Sequence, residues 1–265
     1  MNATTLNLCF ACYLASLIAY AASFLFAGPL LRKAGHVALA AAWLLQTAFL
    51  AQRWHASGHA PLANQFESLL SMSWGITALC ACFWRLAPGA WLGPATSGLS
   101  LALLAVCALL DSSVAPLVPA LQSNWLLLHV SVIMLAYAAL ALSFLASGVY
   151  LTLYQGRAAH ETAVSLDLFN ERAMALGYVL LTAGIVLGAV WANEAWGSYW
   201  SWDPKETWSL ITWLVYTAAI HLRRTHGWKG RRMAWFSVAG FAVVLFTYFG
   251  VNYLMSSMHS YAAPR

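Results

Sequence analysis

Successive runs of about 18 to 30 mostly apolar residues, separated by short polar breaks, constrain this chain more than any single motif in it. About 20 such residues wound as a helix cross a hydrocarbon core of about 30 Å, and inside that core the backbone must satisfy its own N–H and C=O groups. Eight such runs are legible, at residues 6–27, 34–52, 66–86, 96–110, 125–154, 173–191, 204–222 and 233–254. Charged residues make up only 8% of the chain, whereas a soluble domain needs about a quarter to cover its surface. The predicted fold class is therefore all-α: a polytopic transmembrane helix bundle of about eight spans, forming one domain over residues 1–265. No basic segment precedes the first run and no small-residue cleavage pattern follows it, so that run is expected to remain in the mature protein.

An even number of spans puts both termini on one side, and the distribution of cations then chooses the side. One set of loops holds Arg32, Lys33, Arg85, Arg157, Arg172, Arg223, Arg224, Lys229, Arg231 and Arg232; the other holds Arg53, Lys205 and Arg265. Ten against three places the first set in the cytoplasm and both termini outside. The net charge of +5 is explained by this topology and by anionic lipid headgroups in the bilayer, and calls for no nucleic acid.

The five cysteines lie in or beside apolar runs. Cys9 and Cys12 have the spacing of a redox pair, but no βαβ pattern surrounds them and no His follows, so they read as packing residues. Residues 160–172 place Val164, Leu168 and Phe169 near one face of a helix, which suggests a short interfacial segment. The run 125–154 would be about 45 Å long as one helix, so part of it must project from the hydrocarbon.

The densest chemical signal is WANEAWGSYWSWDPKETWSLITW, residues 191–213, which carries six of the 14 tryptophans. An interfacial aromatic belt accounts for any one of them. It does not account for Trp191, Trp196, Trp200, Trp202 and Trp208 gathered around Asn193, Glu194, Gly197 and Asp203. Indole faces are rigid stacking surfaces of large area, which suits a flat apolar ligand with a polar rim. Asp203, Pro204 and Glu206 fit the N-cap, N1 and N3 positions of a helix start, a variant of the capping box, whose dipole favours an anionic group there.

Of eight histidines, His55 and His59 read as exposed loop residues, and His36, His160 and His226 as residues of basic inner segments. His129 lies one turn inside the outer end of its run, and His259 lies just past the last run, so the topology brings both to the tryptophan-rich face. Two imidazoles beside an aromatic platform are what bis-His ligation of a haem needs. His221 lies about 27 Å along its helix from Asp203, near the cytoplasmic boundary. It reads either as a snorkelling partner of Arg223 or Arg224, or as an inner haem ligand.

The segment WGSYWSWDPKETW, with His129 before it, His259 after it and Asn64-x-x-Glu67-Ser68 upstream, closely resembles the CcsA (ResC) cytochrome c biogenesis proteins along essentially the whole chain. The resemblance implies that His129 and His259 are the outer axial ligands of a haem b that is both substrate and bound ligand, and that His221 is an intramembrane haem ligand. It further implies a subunit of a cytochrome c synthase complex, with a CcsB/ResB-like membrane partner, apocytochrome c as protein substrate and a thioredoxin-like thiol reductant. The membrane implied is the bacterial inner membrane or the thylakoid, with the active face extracytoplasmic. Two other readings carry similar chemistry: CcmC- or HemX-like haem delivery without attachment, and a membrane b-haem electron carrier. The last predicts paired His within facing spans, which His129 and His259 fit poorly.

Overall fold

The computed structural model describes residues 3–87, 90–114, 116–154, 161–256 and 258. His160 and His259 lie outside the described residues, as do Arg157 and Arg265 of the charge count. Among the described residues the secondary structure is entirely helical, with no strand. In chain order the helices are α1 (Ala3–Leu25), α2 (Pro29–Ser57), α3 (Gln65–Phe83), α4 (Leu92–Cys107), α5 (Asn124–Val149), α6 (Glu161–Trp196), α7 (Pro204–His226), α8 (Arg231–Leu245) and the short α9 (Val251–Leu254). A π-turn, Tyr150–Tyr154, extends α5, and another, Phe246–Gly250, joins α8 to α9.

Each of the eight expected spans falls on a helical stretch. Six of these are long and apolar enough to cross a membrane. The exceptions are α4, at 16 residues, and α7, whose hydropathy is diluted by Lys205, Glu206, Arg223 and Arg224. Glu206, Thr212, Tyr216, Ala219 and Arg223 are buried along one side of α7, so this helix turns its polar residues inward.

Two differences from the expected boundaries matter. Residues 161–172 are not a separate interfacial helix but the first turns of α6, whose 36 residues extend about 54 Å. No proline interrupts that stretch, and Val164 and Leu168 are exposed while Phe169 is buried, so the three do not share a face. Arg53 belongs to α2, which runs on to Ser57 and ends at Gly58 in a left-handed conformation, rather than to a loop.

The chain clusters into two compact units, Met1–Pro116 and Leu117–Arg265. The first contains α1 to α4, joined by small and hydroxylic side chains of the kind that allow helices to approach in lipid. Tyr13 donates to Gln46 Oε1 (2.7 Å) and lies 2.9 Å from Thr77 Oγ1, while Ser16 donates to the Gly35 carbonyl (2.9 Å) and meets Ser97. Cys9 donates weakly to the Ala42 carbonyl; Cys9, Cys80 and Cys107 are buried, Cys12 is half-buried and Cys82 is exposed. Arg53, wholly buried, pairs with the equally buried Glu67, lies over the Phe66 ring and donates to the Ser112 and Ser113 carbonyls (2.8 and 2.9 Å). Glu67 also accepts from Ala63 N–H, and Asn64 caps α3 by accepting from Glu67 N–H. The Asn64-x-x-Glu67 stretch thus ties α2, α3 and the loop after α4 together. In that loop the Asp111 carboxyl is held below the usual carboxylate range by bonds from Ser113 N–H and Oγ–H.

In the second unit α5 and α6 pack antiparallel with a constant register: His129 opposes Gly188, Ile133 opposes Gly184 and Leu140 opposes Gly177. Ser143 of α5, Asn170 of α6 and Ser237 of α8 share a buried hydrogen-bond cluster. At one end of this unit Arg223 makes a two-point contact with Asp167 (3.0 and 2.9 Å) and a third bond to Glu171 (2.7 Å). Asp167 also accepts from Gly230 N–H, which fixes the turn between α7 and α8.

Candidate functional site

The end of the second unit opposite Arg223 brings His129 together with the tryptophan-rich segment, because α5, α6, α7 and α8 alternate in direction. His129 comes from the start of α5, Trp191 and Trp196 from the end of α6, Asp203 caps α7, and the chain returns after α9.

His129 is half-buried, and its Nδ1 lies 2.7 Å from the Gly184 carbonyl. A carbonyl can only accept, so Nδ1 is the protonated nitrogen of this bond. An iron-ligating imidazole is oriented in this way, by a partner on the opposite nitrogen. Gly188 provides the space, since a Cβ there would come within 2.6 Å of the imidazole Cε1. The buried Trp191 indole lies nearly parallel to the imidazole, with ring centroids 6.2 Å apart, and makes an edge contact with Trp196 at 4.7 Å. Trp191 Nε1 donates to the Ala120 carbonyl and Ser123 Oγ to Glu194, so the segment before α5 braces the end of α6.

Trp200 and Trp202 form a second pair, edge to face at 5.8 Å. Trp202 has a φ of +61°, rare for a bulky side chain, and its indole is 69% exposed. Both flanking residues are fastened: Glu206 Oε2 accepts from Ser201 N–H (2.8 Å) and from Asp203 N–H (3.1 Å). The expected capping box is present, and it also holds Trp202 in a strained conformation with its ring turned outward.

Asp203 is buried. One carboxylate oxygen accepts from Lys205 N–H (2.9 Å) and the other from Met258 N–H (2.8 Å). Lys205 Nζ donates to Asn252 Oδ1 (2.6 Å). Trp208 stacks obliquely on Phe246 at 4.2 Å, and Trp213 on Tyr178 at 5.7 Å, so these two indoles pack between helices. The tryptophan-rich segment is therefore several ring clusters rather than one continuous platform.

His221 is exposed on α7, with its ring 6.0 Å from that of His226. Of its two alternative partners, Arg223 points into the unit toward Asp167 and Glu171. His55 is exposed as expected, whereas His59 is half-buried, with Nδ1 on the Ala60 carbonyl. His36 is held by Tyr20 and the Trp84 ring. Among the described residues no group of three His, Cys, Asp or Glu could hold a metal ion.

Sequence reasoning missed Gly184 and Gly188 as parts of this site. The two form a Gly-x-x-x-Gly spacing in an apolar run, a signal of close helix approach that would have pointed to them.

Among the described residues the chain is all-helical with six helices long and apolar enough to cross a membrane, which makes it an integral membrane protein, and one end of its second unit sets an oriented imidazole beside clustered indoles. Residues 5–259 match the cytochrome C assembly protein family, and the chain belongs to it, within the CcsA cytochrome c biogenesis proteins. It is 37% identical to the cytochrome c biogenesis protein CcsA of Synechocystis sp., covering 96% of each chain. It is 44% identical to the CcsA of Synechococcus sp. strain RCC307, covering 83% of this chain and 82% of that one. Among solved structures, the cytochrome c haem lyase CcmF superimposes with a TM-score of 0.71 at 22% identity, a likeness of fold. That match covers 96% of this chain but only 46% of the CcmF chain, so this protein spans about half of its length.

Proposed function

We propose that this cytochrome c biogenesis protein brings haem to the extracytoplasmic face of its membrane and presents it there for covalent attachment to the CxxCH segment of an apocytochrome c, together with a CcsB/ResB-like partner. The observation that carries this reading is the His129 imidazole, whose Nδ1–H is committed to the Gly184 carbonyl beside the Trp191 indole. His129 and His259 supply the axial nitrogens to the haem substrate, and His221 supplies one on its way across the membrane. The exposed Trp202 ring, with Trp200, adds stacking area for the macrocycle, and Trp191 and Trp196 back the His129 side.

The reaction served is addition of two cysteine thiols across the two vinyl groups. Each S–C bond forms as the thiol proton passes to the other vinyl carbon, with no net redox change. The residues of this chain contribute by positioning the macrocycle and excluding water, and no side chain acts as nucleophile. The Nδ1–H of His129 is committed to the Gly184 carbonyl, which fixes the orientation of the ring.

The test is replacement of His129 or His259 by Gly in the full chain, co-expressed with its partner and an apocytochrome. Either variant should lose one axial ligand, retain less haem and stop covalent attachment, and added imidazole should restore part of both functions by entering the vacated space. His55→Gly should mature cytochrome c normally. Six-coordinate spectra and normal maturation in both variants would refute the assignment. Retained haem with no covalent product in the unmodified system would instead favour a delivery role.

A further inference from the structure

The last described residues after α9 lead directly to His259 in the sequence. The helix ends at Leu254, Met255 is extended, and Met258 precedes His259 in the chain. A ligand carried on such a segment loses affinity in proportion to the freedom it must give up on binding, unless something fixes the backbone beforehand.

Two contacts from the first turn of α7 provide that restraint. Asp203 is 55 residues away in sequence, yet its second carboxylate oxygen accepts the Met258 N–H at 2.8 Å, and the same side chain is only 6% exposed. Two positions along, Lys205 Nζ reaches Asn252 Oδ1 in α9 at 2.6 Å. Both Asp203 oxygens are spent on backbone amides, one capping α7 and one on the returning chain. A hydrogen bond to an ionised carboxylate is about twice as strong as a neutral one. It is therefore suited to fixing the backbone at Met258.

The geometry points to Asp203 as a positioning residue that acts through His259, with Lys205 and Asn252 as the second point of the same latch. This rests on the assignment of His259 as an axial ligand. The aspartate of the tryptophan-rich motif then contributes by placing an imidazole, and the rings around it provide the contact with the macrocycle.

The test combines amide exchange with haem spectra on the full-length protein purified with its partner. Asp203→Asn keeps one acceptor and loses the charge. It should speed hydrogen exchange at the Met258 amide by about tenfold with or without haem, while exchange in α5 and α6 stays unchanged. In the haem-loaded protein it should move part of the population from six-coordinate low-spin to five-coordinate high-spin, and imidazole should reverse this. Asn252→Ala should give the same changes to a smaller degree, which keeps the test meaningful if an Asp203 variant fails to accumulate. The decisive arm is the double variant: in a His259→Gly background, Asp203→Asn should lower haem no further, because both act on the same ligand. A further loss there would mean that Asp203 works on the haem directly and would overturn the inference, as would unchanged Met258 exchange. If His259→Gly itself kept six-coordinate haem, the axial assignment would fall and this inference with it. A normal His259→Gly defect beside an unaltered Asp203→Asn protein would overturn this inference alone.

Discussion

The two ends of the second unit solve opposite problems with similar groups. At the Arg223 end, a guanidinium, two carboxylates and a turn amide are paired inside the protein, and Asp167 bonds to both Arg223 and Gly230. At the Trp191 end, carboxylates are paired with backbone amides instead, while Trp202, Tyr199 and Trp125 remain exposed and Trp202 holds a positive φ. The first end uses its charges to lock helices together. The second uses its charges to hold a loop in a shape that leaves apolar surface turned outward. Buried ion pairs are costly to break, and strained exposed aromatics are costly to keep, so the first marks stability and the second marks function.

The comparison can be broken most severely at Arg223. Replacing it by Ala leaves Asp167 and its neighbour without their cation, and should destabilise the unit by about 3–5 kcal/mol. Thermal unfolding in detergent should show the loss, while haem bound per folded molecule should stay at the wild-type level. A variant of normal stability with low haem content would erase the distinction between the two ends.

Gly188→Ala should have a smaller effect on the fold and a selective one on the site. The new methyl would press on the His129 ring, so the imidazole must shift off the Gly184 carbonyl at a cost of about 1–3 kcal/mol. The expected readout is a weaker axial ligand: more high-spin haem and slower maturation, with helix content and membrane level unchanged. Wild-type spectra in this variant would show that the Gly184 bond does not orient the ligand.

The smallest effect sharpens the contrast. Trp202→Gly removes a side chain from a conformation that glycine adopts freely, so the haem-free protein should unfold at the same temperature or slightly higher, by about 1 kcal/mol of relieved strain. Haem retention should nevertheless fall because the exposed indole is gone. A clear drop in stability together with unchanged haem would make Trp202 a packing residue.

The spans and the cap at Asp203 were legible from sequence because they depend on residues close together in the chain. An apolar run of about 20 residues has few alternatives in lipid, and Asp203, Pro204 and Glu206 act within one helical turn. The separation of the α6 start from an interfacial helix was not legible, since residues 161–172 are amphipathic enough to read either way and continuity is decided by what packs against them. Nor did the tryptophans reveal from spacing alone that Trp208 and Trp213 pack on Phe246 and Tyr178.

By itself the sequence determined an all-helical membrane chain, a helix start at Asp203, and an aromatic and histidine inventory that resembles one family. Only the tertiary structure decided which nitrogen of His129 donates to the Gly184 carbonyl, that Arg53 is buried against Glu67, and that Asp203 reaches Met258. Each of those depends on where separate parts of the chain meet, 14 residues apart for Arg53 with Glu67 and 55 for His129 with Gly184 and for Asp203 with Met258. Hydropathy specifies that helices will pack in a membrane. Small residues such as Gly184 and Gly188, and the few polar groups that must find partners away from water, decide where they touch.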